Sequence, residues 1–346
     1  MKLSTPAWMA AVAAPFVLSM ALPADEVSFH PAANSEVAKT FKLDLEAHIV
    51  DISAELNGES MPPEMLDEMK QTLITNLVVG VTEKYVETKD GKPLVLLRTF
   101  DTLSLDFEAG DQSHSDEDIK DSEGKTVEFK WNEKESSYDK SYKDSEGDSE
   151  ELKNLDPDMD LRVLLPTKKV SKDDSWQIPA EQLKPLFFPG GMITKQSEGT
   201  DDATAERVRS ELEEQFTEAL KEFKVTCTYQ GAHEDDGKNF ADIAFTFDGK
   251  VKLDLGSIIE EVISTQGGEG VPDMDIKAVL GMELKGEGSL QWDVAAGHMH
   301  KFDMRADAGL DASIEVHVQQ GDMPMDGNFN AKAEGKLTWE LAPNSK

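Results

Sequence analysis

Hydrophobic and polar residues alternate along most of this chain. In "FKLDLEAHIV", residues 41 to 50, Phe41, Leu43, Leu45, Ala47 and Ile49 share one parity and polar side chains dominate the other. A period of two sets one face against a core and the other in water, the habit of an antiparallel sheet. Residues 77–86, 93–107, 125–131, 224–231 and 240–255 follow the same rule and predict strands. The longest case is "GHMHKFDMRADAGLDASIEVHV", 297–318. Its even positions are His298, His300, Phe302, Met304, Ala306, Ala308, Leu310, Ala312, Ile314, Val316 and Val318, against a mostly polar odd set. At about 3.3 Å per residue such a strand must bend, and Gly309 offers a place.

Helical spacing interrupts the strands three times. Residues 62–77 open on prolines and bring Met65, Leu66, Met69 and Leu73 to one side. Residues 201–223 repeat Val208, Leu212, Phe216 and Leu220 at helical spacing, with Asp201 or Asp202 as the cap. Residues 257–265 predict a short third helix. The expected fold is mainly β (α+β). It is one large curved antiparallel sheet or half-barrel with two or three helices packed on it, a single domain over 25–346.

Residues 108–160 depart from this pattern. They are rich in Asp, Glu, Ser and Lys, with "TVEFKW" as the one strand-like stretch. They predict acidic, partly mobile loops around a hairpin. Asp156, Asp158 and Asp160 begin like an EF-hand loop, but its sixth position lacks Gly and its twelfth lacks Glu, which argues against calcium. A short echo is also present: "GKVKLD" at Gly249, "GSLQWD" at Gly288 and "GKLTWE" at Gly335. It predicts three strands entering one sheet alike, each glycine marking a turn or bulge.

The N-terminus changes the setting. Lys2 precedes an apolar run, 7–22, that is short and broken by Pro15. This is the pattern of a secretory signal peptide, 1–24, with small residues for cleavage after Ala21 or Ala24. No later segment has spanning length. The mature chain is expected to be soluble, exported to the periplasm or beyond, and not a transmembrane protein. Cys227 is the sole cysteine and shares strand phase with Val225 and Tyr229, so it reads as a small buried hydrophobe. No internal disulfide can form. The formal net charge of -34 disfavours nucleic acid and anionic lipid as partners. Neutral apolar molecules remain, as do cations or basic proteins meeting the acidic loops.

Reaction chemistry is hard to find. There is no Gly-x-Ser-x-Gly elbow, no Gly-Lys-Ser/Thr phosphate loop and no dinucleotide fingerprint after a strand. "FFPGGMI", 187–193, has paired glycines without a following helix and reads as a turn. His298 and His300 stand as a His-x-His strand pair would, but His317 has the opposite parity. A third ligand would have to come from elsewhere. The pair is a weak metal candidate at the solvent edge of an apolar face. No cofactor is expected and no catalytic residue is nominated.

"VSKDDSW", 170–176, resembles a V-x-x-G-D-S-W motif of uncharacterised exported β-rich bacterial proteins, with Asp173 where that pattern has Gly. "GEGSLQWD", starting at Gly286, resembles their G-x-G-x-L-x-W-D hairpin with its long return strand. The resemblance implies an exported antiparallel β domain. Long curved sheets with helices on one side also look like the lipoprotein-carrier half-barrels in shape. Read on their own, Asp173 and Asp174 make a tight turn to which Ser175 bonds back, and Trp176 and Ile178 point inward.

The functional expectation is a non-enzymatic envelope protein binding an apolar ligand such as lipid. Ala306, Ala308 and Ala312 leave room, and Trp292, Phe302, Met304 and Trp339 are the candidate lining. The alternatives are a structural or interaction module without a small ligand, and an envelope hydrolase or metal enzyme using His298 and His300.

Overall fold

The computed structural model describes residues 25–110, 112–115, 122–144, 152–191, 202–266, 273–320 and 323–343. The signal-peptide expectation over 1–24 lies outside them. The strands are β1 (Ser35–Leu56), β2 (Glu59–Ser60), β3 (Thr72–Lys89), β4 (Lys92–Ala109), β5 (Gln112–Ser115), β6 (Thr126–Asn132), β7 (Ser137–Lys143), β8 (Ser175–Ile178), β9 (Lys224–Asp235), β10 (Lys238–Asp254), β11 (Asp273–Asp293), β12 (His298–Gln320) and β13 (Met323–Pro343). They form one 13-stranded sheet in the order β7-β6-β4-β3-β1-β13-β12-β11-β10-β9-β8, with β2 on β1 and β5 on β4. Every pairing is antiparallel, and the sheet stays open at β7 and β8. The mainly β architecture read from the alternation is the one observed.

Register explains why so long a sheet holds one phase. A single row across it runs Leu105, Leu77, Leu43, Trp339, Met304, Gly288, Phe245, Cys227 and Trp176. A slip of one residue anywhere would turn that strand's apolar set to water. The outer face is charged instead: Lys336, Asp307, Lys285, Asp248 and Lys224 lie side by side on successive strands. Their signs alternate, which suits cross-strand pairing. The sheet also curls toward its apolar face. The Phe29 ring lies 5.8 Å from Tyr85 on β3 and 6.4 Å from Trp292 on β11. Those strands are four spacings apart, about 19 Å in a flat sheet.

Glycines make this packing possible. A β-carbon on Gly288 would sit 2.3 Å from the Phe245 ring, and one on Gly249 2.4 Å from the Phe223 ring. On Gly335 it would sit 2.8 Å from the β-carbon of Ala47. The three echoed glycines thus mark close approach within strands, not the turns or bulges expected of them.

The helices are α1 (Pro63–Glu68), α2 (Lys184–Phe187), α3 (Asp202–Ala219) and α4 (Gly256–Gln266). α3 packs on β10 and α4 on β11. The Gln215 amide ties α3 to the end of β10, donating to Asp254 O at 2.8 Å and accepting from Asp254 N at 2.6 Å. The helix expected over 62–77 is only α1; from Thr72 the chain is β3. Threonine, isoleucine and valine at 72, 74, 75, 78 and 79 favour a pleated surface, and pairing with both β1 and β4 decides the outcome.

Two further expectations are corrected. The end of the acidic stretch is part of the core and not a mobile loop: Leu152, Leu155 and Met159 are buried there, with Asp158 and Asp160 beside them. β12 also loses step at its start. Trp292 pairs with Met299 and Gln291 with Lys301, so His300 is an inserted residue. Met299 is buried in consequence, and the clean parity holds only from Phe302 onward.

Candidate apolar ligand site

A cavity of about 310 Å³ opens on the inner face. Its floor is the sheet: Phe41 and Leu43 from β1, Leu77 and Val79 from β3, Phe100, Leu103 and Leu105 from β4, and Trp339 from β13. Its roof is Leu155, Met159 and the turn Phe187–Pro189–Gly191. Gly190 and Gly191 both take φ above +70°, a conformation that favours glycine. A side chain on Gly191 would strike Asn154 O at 2.0 Å. The "FFPGG" turn, 187–191, is therefore a tight cap drawn down over the sheet. Beyond the cavity the inner face stays apolar and half-buried through Leu45, Leu337, Leu310 and Ile314, and Phe107 is 42% exposed.

Beside the cavity sits a buried ionic cluster. Lys39 Nζ lies 2.7 Å from Glu83 Oε2 and 2.8 Å from Asp160 Oδ2. Arg98 donates from Nε and Nη2 to Glu83 Oε1 at 2.9 and 2.7 Å. Its Nη1 donates to the carbonyls of Asp156, at 2.9 Å, and Gly190, at 3.2 Å. The Tyr85 hydroxyl donates to Asp160 at 2.9 Å, and Asp160 Oδ1 accepts the Met299 amide at 3.0 Å. Burial alone would raise the Glu83 carboxyl, but Lys39 and Arg98 outweigh it and bring the pKa down to about 2. Burial likewise works against the Lys39 ammonium, and Asp160 and Glu83 hold it above its ordinary range. The cluster pins the 152–191 segment, roof included, to β1, β3, β4 and β12.

The nominated lining residues separate. Trp339 lies in the cavity wall. Trp292, Phe302 and Met304 are buried in the adjoining core, with the Trp292 indole donating to Ser28 O at 3.2 Å. His298 and His300 do not gather ligands. His298 Nδ1 meets Met299 O at 2.9 Å, and the His300 ring lies 4.5 Å from that of Phe240, tilted by 32°. Among the described residues no group of three His, Cys, Asp or Glu could hold a metal. Asp156 and Asp158 accept backbone amides two residues on, and Asp158 also pairs with Arg162. At the motif "DDSW", Asp173 takes φ of 73°, and Asp174, not Ser175, closes the turn by accepting the Ser171 amide at 2.8 Å. Ser175 bonds across to Thr228. A second depression, on the outer face, is open and lined by Lys285, Asp307, Arg305 and their neighbours; it is a groove between solvated charges.

The ionic cluster was missed in the sequence, although a signal was there. Lys39 sits in the inward phase of Val37 and Phe41, Glu83 in that of Val81 and Tyr85, and Arg98 in that of Leu96 and Phe100. Charges in an apolar phase on three strands must find one another.

No protein-family model and no curated protein matches the chain. Among solved structures it is similar to the outer membrane protein OprG from Pseudomonas aeruginosa: 8% identity, 91% of this chain and 99% of that one covered, TM-score 0.18. It is also similar to OccK2 (OpdF) of Pseudomonas aeruginosa: 8% identity, 90% and 100% covered, TM-score 0.22. Scores this low reflect long antiparallel strands and nothing finer. OprG is, by its description, an outer membrane protein. The expectation that the chain is not a transmembrane protein does not stand. It rested on the want of a spanning helix, a test that is blind to strands.

Proposed function

We propose that this chain is a non-enzymatic protein of the cell envelope that binds an apolar, acyl-chain-like ligand between its sheet and the 187–191 turn. The observation that carries the reading is the cavity itself, walled by aliphatic and aromatic side chains and continuous with a half-buried apolar face. Water gains little there, because a site needs polar partners to hold it. The volume lies at the small end of ligand sites, so a ligand would extend along the open inner face. Arg98 borders the cavity, but its donors are already engaged by Glu83, Asp156 and Gly190. Recognition would therefore be by shape and burial. The test is solvent extraction of the purified chain followed by mass spectrometry, paired with titration by a neutral pyrene-acyl probe. Co-purified lipid or saturable probe binding is the expected result. A clean extract together with no probe binding would end the proposal.

A further inference from the structure

We infer that this site selects amphiphiles by headgroup charge, taking those whose polar end carries no net negative charge. The inference rests on the apolar reading above and adds a ligand class to it.

The interior offers an anion nothing. The cavity's neighbouring cations, Lys39 and Arg98, are both neutralised within the cluster by Glu83 and Asp160. Past the cavity, the inward positions of β12 from Leu310 to Val318 are all apolar. A headgroup must therefore stay outside, where the sheet's open end meets water. That end is acidic. Glu55 at the end of β1, and Glu59, Glu64 and Glu68 on the connection from β1 to β3, are exposed. The lysines nearby are matched: Lys70 lies 2.9 Å from Asp67, and Lys277 3.4 Å from Glu315. The chain as a whole carries -34. A carboxylate or phosphate head would enter this field against repulsion of several kT, whereas a neutral head would not and a cationic head would be drawn in.

Three amphiphiles of equal chain length test this: dodecyltrimethylammonium, dodecyl maltoside and dodecanoate. Each is scored below its micelle concentration by displacement of a bound neutral pyrene-acyl probe, so that mere adsorption of the cation to the surface is not counted. At ~0.01 M salt the cation should displace at least about tenfold better than the carboxylate, with the maltoside between them. At ~1 M salt, where the screening length is about 3 Å, the gap should close. A carboxylate that competes as well as the cation at low salt overturns charge selection and leaves the apolar reading standing. If the pyrene probe itself does not bind, the apolar reading falls and this inference with it.

Discussion

The inner face of β1, β3 and β4 carries two opposite solutions within a few residues. At Lys39, Glu83 and Arg98 it buries four charges, counting Asp160, almost without exposure. Two or three inward positions along the same strands, at Leu43, Leu77 and Leu105, it leaves plain aliphatic side chains half-covered. The usual arrangement would be the reverse. The comparison teaches that charge adds to apolar burial in deciding where the covering segment sits. Residues 152–191 are anchored where ion pairs hold them, and the apolar floor beside them is left open. Buried ion pairs are weak sources of net stability, but breaking one is costly, so they specify where a segment sits.

The hardest way to break the contrast is to strip its central carboxylate. Glu83→Ala would leave Lys39 and Arg98 buried without their shared partner and should cost about 3–5 kcal/mol in urea unfolding. Acid probes the same group more gently. The Glu83 pKa is lowered by folding, to about 2 from an ordinary 4.5. Its contribution is therefore complete above the unfolded value and is lost as pH falls from about 4.5 toward 2. Unfolding followed against pH should show stability declining through that window, and Glu83→Gln should flatten that slope.

The open half should answer differently. Leu105→Trp fills the cavity with a ring and should weaken a neutral acyl probe at least about tenfold, or 1.4 kcal/mol, in a fluorescence titration. Truncating a half-covered floor residue, Leu45→Ala, should cost only about 1 kcal/mol of stability, below the range for fully buried leucine. A loss as large as that of Glu83→Ala would erase the distinction between the two halves. Smallest of all, Lys285→Ala and Arg305→Ala on the outer face should shift stability by less than about 0.5 kcal/mol and leave probe binding unchanged.

Much of this fold was legible in the residues. Alternation identified the strands around Phe41, Phe245 and Phe302, and it placed Cys227, Val225 and Tyr229 together in the core, where all three are buried. Helical spacing found α3 and α4. What failed had local causes. The 62–77 pattern of Met65, Met69 and Leu73 mimicked a helix until strand partners claimed the second half. The insertion at His300 shifted the phase of the two histidines, and nothing in the local sequence announces a bulge. The cavity was illegible for another reason: it brings a roof of residues 155–159 and 187–191 over Trp339 and the strands beside it, a closeness that no local pattern announces. Trp339 was nominated by its strand phase, while Leu43, Leu77 and Leu105 were read only as sheet.

Where an apolar ligand lies decides the account. A neutral acyl probe bearing a diazirine, photolysed on the protein and mapped by peptide mass spectrometry, should label β1, β3 and β4 around Leu43, Leu77 and Leu105, and Trp339 on β13. Labelling confined to the outer face around Lys285 and Arg305, or none above an unfolded control, would contradict it.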